Sequence, residues 1–178
     1  MNQRIKLTKS LLHNAMLKLI KDKPLQKISI SKLCQEAGIN RSTFYKYYGS
    51  QYDLFEEMQQ KFIEKINAVM RSYTNYSGSS MIEGALHYFN EHIDEARVFY
   101  LNNPTSDFYH KKIDNTEFRK AIRIFYDNLP HQVQEYFYLY NCAGADEIIR
   151  AWLKKDVREN PSEIAAIIVE LRKRTSRP

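Results

Sequence analysis

Cysteine is almost missing from this sequence. Cys34 and Cys142 are the only two, they form no Cys-x-x-Cys pair, and two thiols cannot build a disulfide framework. The expectation is a reduced, intracellular, cytoplasmic protein. Glycine and proline are scarce too, five of each in 178 residues, which disfavours a β-sandwich joined by many tight turns. No stretch approaches the roughly 18 uninterrupted apolar residues of a membrane-spanning helix. A signal-peptide core is not expected either, because Leu11–Ile20 is interrupted by His13, Asn14 and Lys18. Residues 7–23 have the pattern of a basic amphipathic membrane helix, but a core-packing helix shows the same pattern and is the simpler reading. Gly-x-Ser-x-Gly, a phosphate-binding loop and a dinucleotide glycine fingerprint are all lacking, so an enzyme is not expected. Nor is a metal site or any cofactor. His87 and His92 are off the i, i+4 spacing, and Glu83 with His87 has that spacing but supplies only two ligands.

Acidic residues are lacking in one region only. Residues 1–50 hold ten Lys/Arg against Asp22 and Glu36, a net of +8, while residues 51–178 hold seventeen Lys/Arg against nineteen acids, a net of −2. An anionic partner bound at the N-terminal end follows from that asymmetry, and the acidic remainder is expected to stay off it. What the chain does have is apolar content (43%), charge (27%), thirteen tyrosines and nine phenylalanines. That is enough to bury a core.

The apolar residues recur at helical spacing throughout. Leu12, Ala15, Met16, Leu19 and Ile20 form one face, with Thr8 a candidate N-cap and Pro24 a stop. Ile30, Leu33, Cys34 and Ala37 form a second, capped by Ser29 and closed by Gly38 in the left-handed C′ role. Cys34 and Cys142 both read as small packed thiols. A third short helix, Arg41–Tyr48, follows Asn40 and turns Phe44 and Tyr48 inward. Ser50 and Asp53 look like a capping box opening a fourth helix to about Ser72, with Leu54, Phe55, Met58, Phe62, Ile66, Val69 and Met70 on its stripe. Residues 73–80 read as a linker, and 81–102, 105–128 and 132–156 read as further helices. Asp146-Glu147 reads as solvated helix surface. Asn160-Pro161-Ser162-Glu163 is a strong helix start. The predicted fold is all-α, about nine helices, with a head at 1–49 and a second domain at 50–178 connected through helix 50–72.

Two short helices joined at Gly38-Ile39-Asn40 have helix-turn-helix proportions. Packing through Ile30, Leu33, Ala37, Ile39 and Phe44 leaves Arg41, Ser42, Thr43, Tyr45, Lys46 and Tyr47 on the outer face. Arg41 can read guanine or hold a phosphate, Ser42 and Thr43 are short enough to let base edges approach, and Tyr45, Lys46 and Tyr47 have the reach to grip phosphates. These six residues with Ser29 are the expected contacts to double-stranded DNA. Arg4, Lys6 and Lys9 are left as backbone contacts or steering charges.

The run from Ile30 to Phe55 resembles the N-terminal signature of TetR-family transcriptional regulators. Ala37-Gly38, Thr43-Phe44-Tyr45 and Ser50 fall in register over about residues 8–58. Cys34 stands where alanine is usual and Tyr48 where phenylalanine is usual. Gln51 replaces a common lysine whose backbone-binding role is therefore not carried over. Residues 81–173 are similar, more weakly, to Firmicutes-type C-terminal domains, through Phe89-Asn90-Glu91-His92, Asn103-Pro104, Gly144 and Trp152-Leu153 before a Pro-led helix. The resemblance implies a homodimer whose last two long helices pair as a four-helix bundle, with helix four transmitting motion. The sequence agrees on one point: helix 132–156 is apolar on more than one face. The residues assigned to the dimer interface are Trp152, Ile164, Ile167, Ile168 and Leu171.

The aromatic wealth of residues 88–140 has two readings, an ordinary core or the walls of an effector pocket, for which Phe89, Phe99, Tyr100, Phe125, Tyr126, Phe137 and Tyr140 are the candidates. The expected function is a repressor that binds a palindromic operator as a dimer and is released by a small molecule. The alternative keeps the DNA-binding head but has the second domain recruit a protein partner and bind no small ligand.

Overall fold

The structure, a computed structural model, describes residues 3–73, 78–101, 119 and 123–175. Among the described residues there are eight α-helices and no strand: α1 Gln3–Asp22, α2 Ile30–Ala37, α3 Arg41–Tyr45, α4 Gln51–Ser72, α5 Gly78–Glu91, α6 Ile93–Ala96, α7 His131–Lys154 and α8 Pro161–Thr175. Short 3₁₀ turns lie at Leu25–Lys27 and Arg123–Phe125, and a π-helical turn at Arg97–Leu101 continues α6. Contacts divide the chain into two compact units, Met1–Phe62 and Ile63–Pro178, so the division falls inside α4.

In the first unit α1 packs on α2, and α2 on α3. The buried set is Leu12, Ala15, Met16, Leu19, Ile28, Leu33, Cys34, Ala37, Phe44, Tyr48, Leu54, Met58 and Phe62. Apart from Ile28, which precedes α2, these are positions that helical spacing predicts; Ile20, Ile30 and Phe55 of the same stripes are only half-buried, and both Phe44 and Tyr48 point inward as expected. The caps hold in part. Ser29 Oγ accepts from Lys32 N at 3.2 Å. Gly38 ends α2 at φ 65°, ψ 32°. Ser50 and Asp53 form a reciprocal capping box: Asp53 N donates to Ser50 Oγ at 3.3 Å and Ser50 N to Asp53 Oδ2 at 3.2 Å. Thr8 is a correction. It lies inside α1, which begins five residues earlier, and its hydroxyl turns back to the Arg4 carbonyl at 3.0 Å. Asn40 sits at the N-cap of α3 but makes no side-chain cap; its carbonyl alone accepts, from Thr43 N and Phe44 N. α3 is also shorter than predicted, and Lys46-Tyr47 form a turn after it.

The second unit packs α5 against α8, α7 against α8, and α7 against the π turn. Asn160 caps α8 through Ser162 N at 2.9 Å, while Glu163 reaches back to Asn160 N at 3.2 Å. Arg97 donates to the Leu153 and Lys155 carbonyls at 2.9 and 2.7 Å, satisfying the last acceptors of α7. Gly78-Ser79-Ser80 belong to α5, so the helix starts inside the predicted linker. The predicted 81–102 helix breaks at His92. Most of the predicted 105–128 helix lies outside the described residues. Asp146 corrects the expectation of a solvated surface: it is 2% exposed and bonds Arg150 Nε at 2.8 Å, while Arg150 Nη1 donates to the Tyr100 carbonyl at 2.9 Å.

Candidate nucleic-acid interface

The left-handed backbone at Gly38 lets α2 stop and the chain reverse within two residues. Gly38 N and Ile39 N return to the Gln35 and Cys34 carbonyls at 3.3 and 2.9 Å, so the turn leaves no buried amide orphaned. Phe44 fixes the rotation of α3. It is fully buried, with its ring 5.6 Å edge-on to Tyr45 and 5.7 Å from Tyr48. With that side chain inward, helical geometry must send Arg41, Ser42 and Tyr45 outward, and all three are exposed, Tyr45 by 51%. Lys46 is exposed beside them, and Thr43 and Tyr47 are half-buried. Ser29 is exposed, and its hydroxyl keeps its hydrogen for an external acceptor while capping α2. The side chains of Arg41 and Lys46 have no ion pair or hydrogen bond among the described residues. The face is thus a short ridge of unpaired cations, hydroxyls and a phenol standing on a rigid hydrophobic base.

Other basic residues of the head are engaged inside it. Lys18 pairs with Glu36 at 2.5 Å, joining α1 to α2. Lys9, expected as a backbone contact or a steering charge, is a correction: its ammonium lies 2.6 Å from Glu57 of α4 and 5.2 Å from the centre of the Tyr48 ring. Lys61 reaches the other Glu57 oxygen at 2.5 Å, and His13 Nε2 stands 3.6 Å from it. Burial pushes Glu57 up, but hydrogen bonds and charge from Lys61 and Lys9 outweigh it and hold the carboxyl at about 2. Burial and the charges of Lys61 and Lys9 hold His13 down at about 4 against the pull of Glu57. Cys34 is a packed thiol pushed up by burial, and Cys142 is likewise buried and raised.

The seven aromatic candidates of the second unit do not meet in one place. Phe89 and Tyr100 touch at 5.3 Å and, with Phe99, are fully buried core. Tyr126 and Phe137 touch at 5.7 Å, Phe125 is half-buried, and Tyr140 is 68% exposed. Of these seven, Tyr126 lines an open cavity of about 420 Å³ with Arg119, Arg123, His131, Gln134, Glu135 and Tyr138. Arg119 lies 3.9 Å over the Tyr138 ring, and Arg123 Nε pairs with Asp127 at 2.6 Å. The interface candidates also separate. Trp152, Ile164 and Ile168 are buried within their own unit, Trp152 donating to the Glu159 carbonyl at 3.0 Å, whereas Ile167 and Leu171 are each 47% exposed. Tyr136, 74% exposed, joins Val133, Leu139 and Tyr140 in a second exposed apolar stripe along α7, which the residue assignment missed. His87 Nε2 and Glu83 meet at the Ser162 hydroxyl, a packing contact between α5 and α8.

Residues 12–58 match the family model described as bacterial regulatory proteins, tetR family. Among solved structures, the chain is similar to the TetR transcriptional regulator from Streptococcus agalactiae 2603V, with TM-score 0.69 at 17% identity over 96% of each chain. It is similar to the dihydroxyacetone kinase operon activator DhaS, with TM-score 0.59 at 19% identity over 94% of this chain and 95% of that one. It is also similar to the fatty acid degradation regulator FadR from Bacillus halodurans, with TM-score 0.59 at 14% identity over 93% and 94%. No curated protein matches the sequence significantly.

Proposed function

We propose that the chain, whose residues 12–58 match the tetR family model, is a DNA-binding transcriptional regulator of that family, a homodimeric repressor released from a palindromic operator by a small molecule. The observation that carries the reading is the outer face of α3 and its turn, where Arg41, Ser42, Tyr45 and Lys46 stand exposed over buried Phe44 and Tyr48. Arg41 and Ser42 at the start of the recognition helix reach base edges, Thr43 offers its methyl to a thymine, and Tyr45, Lys46, Tyr47 and Ser29 hold phosphates. The exposed stripes of α7 and α8 support the dimer, since Tyr136, Tyr140, Ile167 and Leu171 need cover. Repression needs no surface beyond two heads seated on one operator.

The test is binding to the DNA upstream of its own gene, followed by fluorescence anisotropy at two salt concentrations. Wild-type protein binds, with affinity falling steeply as salt rises. Arg41→Ala with Tyr45→Ala binds at least tenfold more weakly, about 1.4 kcal/mol or more. Equal binding by the double variant removes α3 from the interface.

The open cavity beside Tyr126 and Tyr138 is the effector site on this reading. Its aromatic walls and the Arg123 guanidinium, which an incoming anion would share with Asp127, suit an anion with a planar apolar body. A thermal-shift panel of aromatic carboxylates against their neutral amides tests this. The carboxylates raise the melting temperature and the amides do not. No shift with any member leaves the protein-recruiting alternative in its place.

A further inference from the structure

Glu57 is a carboxylate at which α1, α4 and the recognition turn converge. It receives Lys9 of α1 at 2.6 Å and Lys61 of its own helix at 2.5 Å, with His13 of α1 at 3.6 Å. Lys9 in turn lies over the ring of Tyr48, the residue that ends the turn carrying Lys46 and Tyr47. Tyr48 is 4% exposed and packs on Phe44, the core anchor of α3. Among the described residues, the charged or titratable groups that face Glu57 include Lys9 and His13 from α1, Tyr48 from the recognition turn, and Lys61 from α4.

We infer that Glu57 is a positioning residue for DNA binding, a half-buried anion through which α4 sets the placement of α1 and of the recognition turn without touching DNA. The inference rests on the DNA-binding reading above. Two consequences separate it from a contact that only adds stability. First, Glu57 pairs with the half-buried Lys9 and the exposed Lys61 and offsets their charge, which lowers the sequence-blind attraction they add to a duplex. Second, it holds Tyr48, and through Phe44 the whole outer face of α3, at one rotation. Removing the carboxylate loosens the sequence-reading face and frees two cations together, so discrimination falls even where total attraction does not.

Glu57→Gln, of nearly the same shape, is the test. Affinity is measured for the DNA upstream of its own gene and for a random duplex of equal length, across a salt series. The upstream affinity falls roughly three- to thirtyfold, within the span of coupling energies of one charge network. Random-duplex affinity holds or rises, with a salt slope steeper by about one phosphate contact or more. A head that is merely destabilised loses both affinities together with its melting temperature and shows no steeper slope; that result overturns the inference. So does an unchanged ratio of the two affinities. If Glu57→Gln does not fold, Lys9→Met removes a single arm of the network and is expected to lower the same ratio by a smaller factor. An unchanged ratio there overturns the inference as well. Wild-type protein that binds neither duplex refutes the DNA-binding reading itself, a distinct outcome.

Discussion

At the scale of single residues, the groups that matter most for stability are polar ones whose partners lie in the interior. Asp146 and Arg150 are both buried and face each other at 2.8 Å across one turn of α7. Taking away one member strands the other's charge. Asp146→Ala is therefore expected to cost about 3–5 kcal/mol, read as a loss of melting temperature or urea midpoint, although the residue belongs to the second unit and not to the head. A loss under about 1 kcal/mol marks the pair as solvated after all. The His13–Glu57 cluster predicts a pH dependence of the same kind. His13 is held at about 4 against an ordinary 6.5, so between those values the unfolded chain takes up a proton that the folded head refuses. Its contribution is complete above pH 6.5 and is lost as pH falls toward 4. Glu57, held at about 2 against 4.5, contributes fully above pH 4.5 and loses its share as pH falls toward 2. Both act in one direction, and acid destabilises the head in two stages. His13→Gln is expected to flatten urea-derived stability between pH 6.5 and 4.5 while leaving the steeper fall below it. An unaltered slope assigns the upper stage elsewhere.

At the scale of elements, local signals translate directly into geometry, and long-range ones do not. Ser29, the Ser50–Asp53 box and the Asn160–Glu163 start were legible because donor and acceptor lie within three residues of each other. Helical spacing likewise identified Phe44 and Tyr48 as core and so exposed the opposite face. Thr8 misled because a capping residue type also fits a helix interior when its hydroxyl bonds back one turn. The Glu57 cluster was not legible. Lys9 and Glu57 are 48 residues apart, and nothing in a charge count distinguishes a lysine engaged by a half-buried carboxylate from one facing DNA. Asp146 was misread for the same reason, since only the packing of α7 on the π turn shows which of two adjacent acids is inside. Two glycines give a contrast that tests this account. At Gly38 an added Cβ meets nothing within 4 Å, so Gly38→Ala bears only the backbone cost of φ 65°, about 1–2 kcal/mol, and Gly38→Asn is expected to cost less. At Gly84 an added Cβ falls 2.4 Å from the Tyr73 ring, so Gly84→Ala must displace that ring and its cost depends on packing instead. Denaturant titration of Gly38→Ala beside Gly38→Asn checks the first: equal losses deny the left-handed backbone its part.

At the scale of the whole molecule, the basic excess of the first fifty residues becomes narrower than a net of +8 suggests. Lys9 and Lys18 are matched internally, so eight of the ten basic residues remain, Arg41 and Lys46 among them on the α3 face with no partner among the described residues. Two heads neutralise more phosphates than one, which is why the dimer matters for affinity as well as for operator symmetry. The stripes on α7 and α8 supply the means to test it. Ile167 and Leu171 are half exposed in the single chain, so charge placed there disturbs their own unit little while burying badly against a second copy. Ile167→Arg with Leu171→Arg is expected to stay helical by circular dichroism and to sediment as a monomer at micromolar concentration. Its DNA affinity should fall, and the slope of log affinity against log salt should drop to about half the wild-type value, because one head neutralises about half the phosphates. A variant that remains dimeric places the interface on other residues. A monomer that keeps the full salt slope shows that a single head makes all the phosphate contacts, and the two-headed operator reading then fails with it.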